Sequence, residues 1–313
     1  LKFAMPFFTI GQFLAVFVRN DNNPVRAMIA VFSGGIFNII GDYLLVFVAD
    51  MGAGGAGLAT AMGQFIAVCV LLTHFIGKKN TLRFVKPVGF LRAVGNMVKV
   101  GFPTFVIDMA VALSSTLFNN QIMFYCGASA LAVFGVIINV SMVVQSVSSG
   151  IGQAIQPIIS VNYGAGEGVR VKKFFFRGLG AAAVFTVIIA LICMLMPTQL
   201  IWAFMTPSQE VLQIGPGYMR TYFLAFIFML FNIYATYYLQ AVMRTALSVV
   251  VSLIRSLVLS GGLVLILPAV FGGDLVWWVM PIAETVTAIV AAVILVLCLL
   301  DRLPPQKSGQ NVN

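Results

Sequence analysis

The chain has 313 residues, of which 61% are hydrophobic and only 9% charged, with a formal net charge of +9 and a mean hydropathy of +1.04. A soluble protein of this size would lack the polar residues to cover its surface, so the expected solvent is lipid. The basic residues gather between apolar runs without interleaved aromatics, which excludes a nucleic-acid partner and makes charge a report of membrane orientation.

Nine apolar stretches are predicted as transmembrane helices, at roughly 3–18, 25–49, 55–77, 98–125, 128–160, 175–205, 215–242, 246–271 and 275–300. Most reach the ~20 residues that cross ~30 Å of hydrocarbon as a helix. Arg19 and Arg26 flank the first connection, and the second carries only Asp50. Lys78, Lys79, Arg83, Lys86, Arg92 and Lys99 crowd the third, whereas the fourth, around Gly127, is uncharged. Arg170, Lys172, Lys173 and Arg177 mark the fifth connection, Glu210 the sixth, Arg244 the seventh and Asp274 the eighth, with Arg302 and Lys307 in the tail. By the positive-inside rule every basic connection, and the C-terminus, is expected in the cytoplasm.

The last three stretches repeat the layout of the first three about 220 residues earlier, and a repeated helical half marks a membrane transporter. Spans four to six have no upstream counterpart, so a three-helix segment on the order of 130 residues is expected to be missing. The expected fold is therefore all-α and integral to the membrane, with nine transmembrane helices of a twelve-helix, two-half (6+6) repeat. Its organisation would be a partial N-terminal half of three helices over 1–77, then a basic cytoplasmic linker over 78–97 with Pro87 and Gly89. A six-helix half over 98–301 and a cytoplasmic tail over 302–313 complete it. The chain opens on Leu1 without a cleavable signal peptide and is expected to start inside a longer protein.

Chemistry is sought where charge enters hydrocarbon, at a cost of roughly 2.5–3.5 kcal/mol per carboxylate. Asp42, Asp108 and Glu284 fall well within spans. Asn38 precedes Asp42 by four residues and shares its helical face, so an amide oxygen and a carboxylate can converge on one cation or share a proton. Thr60 on the next helix adds a hydroxyl. A span-end aspartate hydrated from the outer face is the alternative for Asp42. Asp108 follows Pro103 by five residues, and Glu284 follows Pro281; these two are candidate second acidic sites.

Asn119, Asn120, Gln121, Asn139, Gln145, Gln153, Tyr234, Tyr237 and Tyr238 are candidates for a wet cavity that accepts flat amphiphilic cations, with bonding between helices as the alternative. Arg220 and Arg255 read as side chains snorkelling to the interface. His74 reads as an interface residue, and Cys69, Cys126, Cys193 and Cys298 as packing residues; no metal site other than a possible Na⁺ site and no cofactor is expected.

Several segments resemble the multidrug and toxic compound extrusion (MATE) transporters. The stretch Gly150–Gly166, with Gln156-Pro157 and Asn162-Tyr163-Gly164, is similar to their eighth-helix signature, and Phe17–Pro24 to their fourth-to-fifth connection. Gly34-Gly35, Asn38 and Asp42, then Gly52–Thr60, Gly101-Phe102-Pro103 and Ala130–Gly135, follow in the family's order. The resemblance implies helices four to twelve of a twelve-helix exporter. It also implies a cation site of the N-terminal half at Asn38, Asp42 and Thr60, completed in the family by an acidic residue of the first helix.

The function expected is a secondary active exporter, acting as a monomer, that sits in the plasma membrane, the inner membrane if the source is bacterial. An inward Na⁺ or H⁺ gradient would drive out small organic cations by alternating access. The runner-up is a lipid or lipid-linked-glycan flippase of the same superfamily, whose cavity should carry several Arg or Lys. An intramembrane aspartyl protease is disfavoured because Ile39 stands where Gly-x-Gly-Asp needs its first glycine, and no hydrolase motif is present.

Overall fold

The computed structural model describes residues 4–21, 23–77, 80–83 and 89–301, which form helices and, among the described residues, no strand. The start of the first expected span, the linker's three lysines and the expected tail lie outside the described residues. The chain divides into two compact units, Leu1–Phe90 and Leu91–Asn313.

In the first unit, α1 (Ala4–Asn20) leads to α2 (Pro24–Asp42). Pro24 opens α2 where its missing N–H would have had no partner in any case. After Asp42 the same rod continues as a π-helical segment, Tyr43–Val48. Helix α3 (Gly52–Leu72) ends in a 3₁₀ turn, Thr73–Ile76. Helices α2 and α3 approach almost backbone to backbone: a Cβ built on Gly63 would stand 2.6 Å from the Gly34 carbonyl oxygen and 3.1 Å from Asn38 Cβ. In lipid there is no hydrophobic drive between helices, so close packing of small residues supplies the contact.

In the second unit a 75-residue helical stretch, α4 (Phe90–Gly164), is two helices joined at Gly127, whose φ of 83° and ψ of −176° are non-helical and suit glycine alone. Gly127 is the uncharged fourth connection of the sequence. There follow α5 (Gly168–Leu195), α6 (Pro197–Phe204), α7 (Gln209–Phe223) and α8 (Phe226–Ala241). Helix α9 (Thr245–Leu253) passes through a π-helical segment, Ile254–Gly261, into α10 (Gly262–Phe271). A 3₁₀ turn, Gly273–Trp278, precedes α11 (Val279–Asp301).

Seven helical segments among the described residues are long and apolar enough to cross a membrane. One of these, Phe105–Gly164, contains the Gly127 break. Helix α1, with 17 described residues, spans about 25 Å, short of the ~30 Å core. Large apolar side chains such as Phe13, Phe32, Ile39 and Phe47 are exposed, the face that lipid would cover.

The core of the second unit is aromatic. Phe118 stacks on Phe134, and Trp277 meets Phe134 edge-on and stacks on Tyr218 with ring centres 4.4 Å apart. At one end of this unit Ser129 donates to Glu210 at 2.6 Å, Tyr218 to Asp274 at 3.2 Å, and the Cys126 thiol lies against the Gly273 carbonyl. The three connections of this unit that carry no basic residue thus gather together.

Candidate functional site

The first unit brings Asn38 and Thr60 together. Thr60 spends its proton on the Ala56 carbonyl, 2.9 Å away, and its oxygen accepts from Asn38 Nδ2 at 3.3 Å. Asp42 lies one turn beyond Asn38 on the same face. Its Oδ1 is buried and takes no hydrogen bond among the described residues. The helical rod runs on to Val48, so Asp42 stands six residues inside the segment Pro24–Val48 rather than at its end. The switch to π geometry directly after it is the kind of distortion that collects at functional sites. A carboxylate oxygen without a donor, one turn from an amide and a hydroxyl, is a donor set suited to a hard cation or a proton.

The second unit holds a buried ion pair. Glu284 of α11 has a fully buried side chain, and its Oε1 takes both Arg255 Nη2 at 2.6 Å and Nε at 2.7 Å. Asn232 of α8, also buried, donates to Glu284 Oε2 at 2.7 Å and to the Glu284 carbonyl at 2.9 Å. The pair borders a cavity of about 190 Å³ that Gln145, Tyr222 and several serines also line. Arg255 therefore differs from the snorkelling expectation: it reaches an acidic partner on another helix instead of the interface, because a guanidinium and a carboxylate in hydrocarbon each cost less when paired. Arg220 donates to the Met194 carbonyl at 3.2 Å. Sequence reading passed over the Arg255–Glu284 pair, although an arginine and a glutamate within neighbouring spans were a signal for it.

The remaining candidates scatter. Asp108 is exposed on α4 and pairs with no described residue. Asn119 and Asn120 are exposed, and Asn139 bonds its own helix at the Gly135 carbonyl. Gln153 donates to the Tyr237 hydroxyl at 3.3 Å. Tyr234 and Tyr238 are core residues instead: both pack on Phe175, and the Tyr234 hydroxyl is spent on the Phe175 carbonyl at 2.8 Å. Of the expected cavity set, Gln145 alone lines the Glu284 cavity.

One polar cluster was not foreseen. Asp21, between α1 and α2, accepts from the Thr81 hydroxyl and, at 2.9 Å, from the Thr81 N–H; His74 stands 2.7 Å away, fully buried, with Asn23 at its other ring nitrogen. These bonds, that from the Thr81 hydroxyl first and that to His74 second, pull the Asp21 carboxyl down to about 2. The cluster ties the start of the linker, at Thr81, to the connection between α1 and α2.

The MatE family model matches residues 103–264, just over half of the chain. The multidrug export protein MepA of Staphylococcus saprophyticus is 25% identical over 312 residues, covering 97% of this chain and 66% of its own length. MepA of Staphylococcus aureus is 23% identical over 302 residues, covering 95% and 65%. The chain thus spans just under two thirds of these relatives. Its fold is similar to a multidrug resistance MATE family transporter in an outward-facing conformation, with a TM-score of 0.82 at 19% identity over 92% of this chain and 65% of that one. A MOP superfamily transporter from Pyrococcus furiosus matches with a TM-score of 0.81 at 19% identity, over 92% and 66%. With the family model running from within α4 to the start of α10, over more than half of the chain, the chain belongs to the MatE family.

Proposed function

We propose that this chain forms the greater part of a multidrug exporter that expels cationic or amphiphilic small molecules, driven by an inward Na⁺ or H⁺ gradient. The ion binds at Asp42, with Asn38 and Thr60 beside it, and favours one conformation through its higher affinity there, so that export follows by alternating access. The observation that carries the reading is the buried Asp42 Oδ1, which no described residue satisfies, one turn from the Asn38–Thr60 bond. The same reading takes 1–77 as three helices of an N-terminal half, 78–97 as a basic cytoplasmic linker, 98–301 as a six-helix half and 302–313 as a tail, nine spans in all, with the C-terminus cytoplasmic. The protein acts as a monomer in the plasma membrane. Loop charge supports the orientation, and the gathering of Glu210, Asp274 and Gly127 at one end of the second unit agrees with it.

The flippase reading ranks second, because a cavity for lipid phosphates needs uncompensated cations and the Arg255 guanidinium is already spent on Glu284. The test is export of a fluorescent organic cation from proteoliposomes containing the full-length transporter, under imposed Na⁺ or H⁺ gradients. Gradient-dependent export that Asp42→Asn abolishes supports the proposal. Export unchanged in that variant refutes it.

A further inference from the structure

Of the six serines that line the cavity beside Glu284, four have their protons committed to backbone carbonyls. Ser141 donates to the Ile137 carbonyl at 2.7 Å, Ser256 to Ser252 and Ser260 to Arg255 at 2.8 Å each, and Ser114 to the Ser256 carbonyl. All four line the cavity. A hydroxyl carries one proton and two lone pairs, so with the proton spent on backbone each of these four serines has only lone pairs left to offer a ligand. The carboxylate that borders the same cavity is that of Glu284. Such a wall is complementary to a cation, and the cation found there is a side chain of the same unit.

The way Arg255 sits is that of an occupant that can leave. The strong arginine–carboxylate geometry sets two nitrogens on two oxygens. Here Nε and Nη2 both lie on Oε1, because Asn232 holds Oε2. Glu284 is fully enclosed, whereas the Arg255 side chain is 23% exposed and rides on the π-helical segment Ile254–Gly261. Motion of the arginine opens the place without moving the acid.

We propose that this cavity is a cation site filled by a tethered ligand: the Arg255 guanidinium occupies the place on Glu284 that a free guanidinium or a primary alkylammonium ion would take. Exchange leaves Glu284 compensated throughout, since one cation replaces another. The site would then admit an organic ammonium to the second unit only at the expense of the Arg255 contact. The reading concerns binding alone and does not depend on Asp42 or on export.

The test is the melting temperature of the purified chain in detergent, titrated with guanidinium chloride or ethylammonium chloride in the millimolar range against NaCl at equal ionic strength. The unaltered protein should show no cation-specific shift, because a tethered group outcompetes a free one at these concentrations. Arg255→Ala should melt lower, and guanidinium or ethylammonium, not Na⁺, should raise its Tm by about 5 °C. The double variant Arg255→Ala/Glu284→Gln should lose that response. An Arg255→Ala protein that ignores both ions overturns the proposal, as does a double variant that responds as well as the single one. If Arg255→Ala cannot be recovered folded even with guanidinium present throughout, while Arg255→Met/Glu284→Gln can, the site does not accept a free cation and the proposal also fails.

Discussion

Replacing Gly63 by alanine tests whether the close approach of α2 and α3 creates the candidate ion site. The added Cβ would stand 2.6 Å from the Gly34 carbonyl oxygen, where ordinary contacts begin at 3.4 Å. The obstacle is backbone, so no rotamer change relieves it, and the two helices must separate locally by about 0.8 Å. A shift of that size stretches the Asn38–Thr60 bond, 3.3 Å at rest, beyond hydrogen-bond range. Overpacking costs about 1–3 kcal/mol and the lost bond about 1 kcal/mol, so the variant should be less stable by about 2–4 kcal/mol and melt roughly 5–10 °C lower. Gly35→Ala is the control, since nothing lies within 4 Å of its added carbon; it should be neutral or mildly stabilising through better helix propensity. In the full-length transporter Gly63→Ala should also weaken ion dependence of export. Equal melting temperatures for Gly63→Ala and Gly35→Ala would refute the claim that contact between these glycines holds the helices at this distance.

Asp42→Asn in the full-length transporter keeps size and hydrogen bonding but removes the titratable charge, so folding should survive and coupled export should not; Asn38→Ala should weaken ion dependence by a smaller amount, measured in the same liposome assay. The Asp21 carboxyl is held at about 2 by Thr81 and His74. Because its folded pKa lies below the ordinary value of 3.8, the stabilisation is present above pH 3.8 and is lost as pH falls towards 2. Thr81→Val should move that loss to higher pH in acid melting curves, and an unchanged curve would remove Thr81 as the cause. Cysteines at Asp50, Glu210 and Asp274 should react with an impermeant thiol reagent in intact cells while one at Lys172 is protected; the reverse pattern would invert the orientation and the ion route with it.

Loop charge and apolar length are local properties, and they made the helical membrane class legible without any contact being known. The Gly127 break was legible for the same reason, as an uncharged gap between two apolar runs. The shared face of Asn38 and Asp42 followed from helical periodicity alone. Motifs in family order pointed to the MATE transporters because they cover nearly the whole chain. None of this says which helices meet. In a soluble helix the apolar stripe marks the buried side, but here lipid-facing and core-facing residues are equally apolar, so hydropathy does not report how a helix is turned.

That rotation is why Tyr234 and Tyr238, polar-tipped residues expected in a cavity, lie in the core against Phe175. It is also why Arg255 finds Glu284 across 29 residues, and Asp21 finds His74 and Thr81 across 53 and 60. Gly34 and Gly63 could each be read as small residues, but their contact, and with it the distance from Asn38 to Thr60, exists only once α2 and α3 are packed. Sequence determined which segments belong in lipid and which residues share a helical face; tertiary structure decided which faces meet, because in a bilayer that choice rests on packing and polar pairing rather than on apolar burial.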